Sequence, residues 1–216
     1  FTKEETEYVL IDLKFLDIND LLLLRGDKAK HETGFVPTGH SFATELQEQV
    51  NRFNDGYFLD GSQMKVIDEP FSYGMACYPE KHEESPNMET ELYWAKKKVD
   101  NGAEYLVTQM FFDNRKYYDF VEKCREIGID VPIIPGLKPI TFMNQLTVLP
   151  RIFKSEIPEE FARELRKCKT DEAAAEVGVE WCTEQARDLI SHKVPSIHFY
   201  SLMATESVKR VAQQVY

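Results

Sequence analysis

Five short apolar runs punctuate this chain, and each is followed by a segment with helical spacing. The runs are Leu21 to Leu24, Ser72 to Tyr78, Tyr105 to Phe112, Val131 to Leu137 and Ile197 to Leu202. A continuous apolar run bounded by polar turns is what a strand needs when helices cover both faces of its sheet. Between the runs, Phe42, Leu46 and Val50 mark one helix, and Leu92, Ala95 and Val99 another that stops at Gly102. Asn114 is placed to cap a helix carrying Tyr117, Phe120 and Cys124, which Gly128 ends. Leu146, Leu149 and Phe153 mark a further helix, followed by helical stretches over Pro158 to Lys167 and Asp171 to His192. Thr205 is placed to cap the last. At the start, Thr2 and Glu5 form the T-x-x-E pattern of a capping box.

Strand and helix in alternation imply right-handed crossovers and a parallel sheet. An open doubly wound sheet competes with a closed barrel. The sequence carries neither G-x-G-x-x-G nor G-x-x-x-x-G-K-[ST]. Its polar residues follow nearly every apolar run rather than gathering at one switch point. Both observations favour the barrel. Five strands do not close an eight-stranded barrel, and the chain opens on a helix. The expectation is an α/β fold: a (β/α)8 TIM barrel truncated at its N-terminus. Roughly 80 residues and three strands would lie upstream, leaving the fourth to eighth strands here. Residues 1–216 then form the C-terminal part of a single domain, with Asn54 to Pro70 as a long loop.

The formal net charge of -11 argues against nucleic acid and anionic membranes as partners. A phosphate-bearing ligand would need a local basic cluster. The longest apolar run is far too short to cross a bilayer. Cys77, Cys124, Cys168 and Cys182 form no C-x-x-C pair and lack zinc-ligand spacing. They read as reduced thiols, which makes the cytoplasm the expected compartment.

In barrels the chemistry sits where strands end. Arg25-Gly26-Asp27 follows the first run and Tyr78-Pro79-Glu80-Lys81-His82 the second. Gln109 lies inside the third, Pro135-Gly136 at the end of the fourth, and His198-Phe199-Tyr200 in the fifth. Bland readings exist for most of these. Arg25 and Asp27 suit a local ion pair, Pro135-Gly136 a simple turn, and His198 a satisfied core histidine. Lys96-Lys97-Lys98 suits a solvated helix face, and at most two of the three can serve one ligand. Gln109 is harder to dismiss, because a carboxamide in an apolar strand is costly without a partner.

Leu24 to Asp27 (LRGD), Tyr78 to His82 (YPEKH), Thr108 to Asp113 (TQMFFD), Ile133 to Pro139 (IIPGLKP) and His198 to Tyr200 (HFY) stand in the order found in methylenetetrahydrofolate reductases. The chain resembles that family along nearly its whole length. The resemblance implies an FAD-containing barrel of one-carbon metabolism and methionine biosynthesis. Such an enzyme reduces 5,10-methylenetetrahydrofolate to 5-methyltetrahydrofolate, with hydride passing from NAD(P)H to FAD and then to folate. On the resemblance, Leu24, Arg25, Gly26 and Asp27 lie against the flavin. Phe42, Ala43, Tyr78, His82, Glu91 and Trp94 also line the cofactor, and Lys97 and Lys98 meet its phosphates. Asp27, Gln109, Gln145 and Leu149 bind the folate, with Asp27 and Gln109 taking part in catalysis and Gln109 extending to the nicotinamide. A carboxylate at Asp27 would make the reduced flavin a stronger hydride donor and favour the cationic iminium formed as the folate ring opens.

There are departures. The family's general acid, a glutamate on its first strand, has no counterpart here, nor have a threonine and a histidine that touch the flavin. The 216 residues alone are therefore expected to be inactive. Met203 and Ala204 stand where some bacterial members have Asn-Arg, and Phe42 and Trp94 are substitutions at lining positions. A related flavin barrel such as a proline dehydrogenase, or a non-catalytic barrel fragment, is the competing expectation. Unpaired strand edges would make the chain associate with itself as a homo-oligomer. The enzyme reading requires Asp27, Tyr78 and Gln109 to open onto one mouth.

Overall fold

The computed structural model describes residues 1–26, 38–64 and 69–216. Among them are eight helices and five strands, alternating except where three helices in succession separate the last two strands. They are α1 (Lys3–Phe15), β1 (Asp20–Leu23), α2 (Ala43–Asn54), β2 (Ser72–Cys77), α3 (Met88–Asp100), β3 (Tyr105–Met110) and α4 (Asn114–Glu126). There follow β4 (Ile133–Leu137), α5 (Gln145–Phe153), α6 (Glu159–Lys167), α7 (Asp171–Ser191), β5 (His198–Phe199) and α8 (Thr205–Val215). Each expected strand is present; β1 is displaced by one residue from its apolar run, and the other four are shorter than theirs. Leu24 leaves β1, Val131 and Pro132 leave β4, and the fifth strand shrinks to two residues.

The chain divides into two compact units. The first comprises Phe1–Ala76 and Lys97–Tyr105, the second Cys77–Lys96 and Leu106–Tyr216. In the first, β1 pairs with β2 in parallel, from Asp20 opposite Ser72 to Leu23 opposite Met75. Gly74 is required there: a Cβ at that position would lie 2.1 Å from the Tyr105 ring, whose hydroxyl donates to the Leu21 carbonyl at 2.8 Å. Thr2 caps α1 with both bonds of the capping box in place.

In the second unit β3 pairs with β4, and β4 with β5, again in parallel. The core here gathers Met110, Phe112, Ile140, Leu149, Phe161, Leu165 and Ala174. Helix α7 closes on the segment after β4 at Gly178, where an added Cβ would lie 1.9 Å from the Ile140 carbonyl oxygen. Two caps differ from expectation. Asp113, not Asn114, caps α4 by accepting the Arg115 backbone N–H. Asn114 is the first helical residue, and its side-chain amide donates to the Gln185 carbonyl and the Asp188 carboxylate on α7. Thr205 likewise begins α8 rather than capping it; Ala204 holds the cap position. An aspartate ahead of the helix satisfies the first-turn N–H groups, which frees the next polar residue for a long-range bond.

Candidate active site

In the first unit, Leu24 and Phe42 sit at element ends and expose 53% and 55% of their surface, unusual for large apolar side chains that follow a strand or start a helix. Gly26 has φ +80, with no atom of the described residues within 4 Å of where a Cβ would stand. Ala43 opens α2 beside Phe42. Asp27, expected to share a mouth with Tyr78 and Gln109, lies outside the described residues. Lys97 and Lys98 fall in the last turn of α3. The Lys98 ammonium donates to the Ala76 carbonyl at 2.8 Å, and the Lys98 carbonyl accepts from Gln47. Lys98 therefore ties its helix to the end of β2, a structural use that the sequence did not reveal.

In the second unit, the Tyr78 and His82 rings meet edge to face, 4.6 Å between centroids. The His82 loop is held by Glu91, which is 2% exposed. Its carboxylate accepts the His82 backbone N–H at 3.0 Å and the Ser85 hydroxyl at 2.8 Å. Glu91 thus shapes the loop after β2 from inside, while Trp94 lies one turn further along α3 at the surface. Glu80, between Tyr78 and His82, accepts the Glu156 backbone N–H, and burial raises its carboxyl above the usual range.

Gln109 is half-buried near the end of β3, and its Oε1 accepts the Met110 backbone N–H at 2.9 Å. Gln145, first residue of α5, turns its Oε1 back onto the Thr141 and Phe142 backbone N–H groups at 2.7 and 3.3 Å. Leu149, on α5 itself, is buried in the core. His198 packs edge to face on Tyr200 at 4.6 Å, and burial lowers its pKa, as for a histidine kept neutral in a core. A separate cleft of about 340 Å³ is lined by Phe112, Asp113, Arg115, Trp181 and Gln185, none of which the sequence pattern proposed for the site. Among the described residues no cluster of His, Cys, Asp or Glu is arranged to hold a metal ion, and no helix is long and apolar enough to cross a membrane.

The sequence profile of the methylenetetrahydrofolate reductase family matches residues 1–216. The chain belongs to this family. Similar proteins include a probable methylenetetrahydrofolate reductase (NADPH) of Caenorhabditis elegans, 33% identical over 100% of this chain and 31% of that protein. A methylenetetrahydrofolate reductase (NADH) of Arabidopsis thaliana is 31% identical over 94% of this chain and 34% of its own length. The 5,10-methylenetetrahydrofolate reductase of Escherichia coli is 34% identical over 63% of this chain and 46% of its own. The chain thus spans about a third of the plant and nematode relatives it matches. Among solved structures, a Clostridium thermocellum protein described as binding two copies of 5-methyl-5,6,7,8-tetrahydrofolic acid superimposes over all of this chain and 68% of its own, with a TM-score of 0.59 at 15% identity. At that identity the likeness speaks for the fold alone.

Sequence reasoning missed Thr108 and Tyr200. The Thr108 hydroxyl accepts the Gly136 backbone N–H at 2.8 Å, and the Tyr200 hydroxyl donates to the Thr108 carbonyl at 2.8 Å.

Proposed function

We propose that this chain carries part of the active site of a flavin-dependent reductase converting 5,10-methylenetetrahydrofolate to 5-methyltetrahydrofolate, with hydride passed from NAD(P)H to FAD and on to folate. The observation that carries this reading is the family match over residues 1–216, in which the polar residues that resemble family contacts fall at strand ends and on the segments that follow them. The residues present fit a flavin. A flat amphipathic ring system asks for apolar surface and a hydrogen-bonding edge. Each unit, by itself, offers matching groups: exposed Leu24 and Phe42 in the first, and Tyr78, His82 and Trp94 in the second. FAD, when bound, supplies the hydride relay between nicotinamide and folate.

The chain's own residues bind and orient. Gln109 and Gln145 offer carboxamides to the folate ring, and each has its Oε1 fixed by backbone N–H groups, so neither has to be ordered at the moment of binding. Leu149 supplies apolar support from α5. The Asp27 carboxylate stabilises the positive charge that develops on the folate as its ring opens. Lys97 is the phosphate ligand of α3, with Lys98 anchoring the helix end that presents it.

The test is anaerobic. The purified whole protein is mixed first with NADH or NADPH, then with methylenetetrahydrofolate. The flavin absorbance should bleach and then return. A folded, flavin-loaded protein whose colour does not return on adding the folate would refute the reading.

A further inference from the structure

The pairing of β3 with β4 shifts register between Val107, opposite Ile134, and Met110, opposite Gly136. Thr108 and Gln109 therefore face a single residue, Pro135, across the ladder. That is a bulge, which re-aims side chains and leaves backbone groups unpaired. Three bonds surround it. Thr108, fully buried, accepts the Gly136 N–H on its hydroxyl. The Thr108 carbonyl accepts the Tyr200 hydroxyl. Burial pushes the Tyr200 pKa up to about 12, so the phenol stays a donor through the physiological range. The Met110 N–H goes to Gln109 Oε1 at 2.9 Å. No larger residue fits at Gly136, where a Cβ would lie 2.4 Å from the Thr108 carbonyl oxygen and 2.6 Å from the Tyr200 ring.

These bonds fix which end of the Gln109 carboxamide faces outward. An N–H points at Oε1, so the amide cannot be reversed without setting donor against donor. With one lone pair of Oε1 taken by the Met110 N–H, the end of Gln109 turned away from the backbone carries the two N–H donors of Nε2. We propose that Thr108 and Tyr200, acting opposite Pro135, are positioning residues that hold Gln109 as a hydrogen-bond donor, so that the site selects a ligand presenting an acceptor atom, such as a ring carbonyl or ring nitrogen, at that point. The ligand's identity as a folate rests on the function proposed above; the orientation of Gln109 does not.

Two measurements on the whole protein separate the claims. The first needs no ligand. In Thr108→Val, exchange of the Met110 and Gly136 amides should accelerate, and Thr108→Ser should restore both. Unchanged Met110 protection in Thr108→Val overturns the proposal, whether or not folate binds. The second is folate affinity, read from the perturbation of the flavin spectrum. Thr108→Val should weaken it about tenfold with flavin content preserved, and Thr108→Ser should recover most of the loss. Tyr200→Phe should weaken it in the same direction by about threefold. Because Thr108 acts through Gln109, Thr108→Val added to Gln109→Ala should cost nothing more. Full additivity of the two substitutions would overturn the positioning role. A wild-type protein that binds no folate would sink the functional reading and leave the exchange result to judge the bulge.

Discussion

Glu91 holds His82 from behind: its buried Oε2 accepts the His82 backbone N–H at 3.0 Å, and the same oxygen takes the Ser85 hydroxyl at 2.8 Å. One carboxylate in the middle of α3 thereby sets the path of the loop that carries His82. Replacing it with alanine strands two buried donors. Glu91→Ala should lower unfolding free energy by about 1–3 kcal/mol and weaken flavin retention together. Glu91→Gln keeps an acceptor and should lose less of both. Urea titration beside flavin fluorescence after dialysis reads the pair. Unchanged stability with flavin lost would mean that Glu91 contacts the cofactor rather than the loop.

In the first unit the comparable centre is Tyr73, which is 2% exposed. Its hydroxyl donates to Asn51 Oδ1 at 2.6 Å, also contacts the Asn101 carbonyl at 3.0 Å, and accepts from Gln47 at 3.2 Å. Gly102, at φ +110, would place a Cβ 2.9 Å from that oxygen. Tyr73→Phe should destabilise by about 1–3 kcal/mol, because the buried Gln47 and the half-buried Asn51 both lose that partner. Asn51→Ala combined with Tyr73→Phe should then add much less than Asn51→Ala costs alone, which a double-mutant cycle in urea would show.

Gly178 sits within α7, where glycine is ordinarily unfavourable. Its reason is contact: the Ile140 carbonyl oxygen would lie 1.9 Å from a Cβ, and the neighbouring atom is backbone. Gly178→Ala should therefore destabilise by about 3 kcal/mol or more despite the better helix propensity of alanine, as the helix must retreat from the segment after β4. An unchanged denaturation midpoint would contradict that close packing.

The alternation of strands and helices was legible because a parallel strand covered on both faces announces itself as an unbroken apolar run. Leu21 to Leu24 and Tyr105 to Phe112 did so. Their ends were not legible: Phe111 and Phe112 continue the apolar run past β3 because they are core residues of the following turn, not ladder residues. Gln109 was singled out correctly as a polar residue needing a partner. That its partner is the adjacent Met110 N–H goes with a register shift between Val107 and Met110, which sequence spacing does not show. The roles of Glu91 and Lys98 were hidden for a related reason. Their positions on α3 suggested ligand contacts, but a helix residue facing inward meets loop and strand backbone first, and sequence spacing does not say which face is inward.

Lys138 is the most costly side chain in the second unit. It is 1% exposed at the position after β4, and its Nζ has no hydrogen-bond partner among the described residues. Burial lowers its pKa, with the Cys182 thiol nearby, itself pushed up to about 12 by burial. The sign of the pH effect follows from which state binds more protons. The folded state holds the lysine proton less tightly than the unfolded chain does, so the unfolded chain carries more protons between the lowered pKa and the ordinary lysine value. Stability should therefore rise as pH rises through that window, and fall again toward neutral. Lys138→Met keeps the length of the side chain and removes the charge. It should stabilise the protein by about 1–3 kcal/mol at neutral pH and flatten the rise on the alkaline side. Chemical denaturation of both proteins at neutral pH and in mildly alkaline buffer gives the comparison. If the methionine variant were less stable than wild type at neutral pH, the Lys138 ammonium would have to be paired in the folded protein, and an unpartnered burial would not be its true environment.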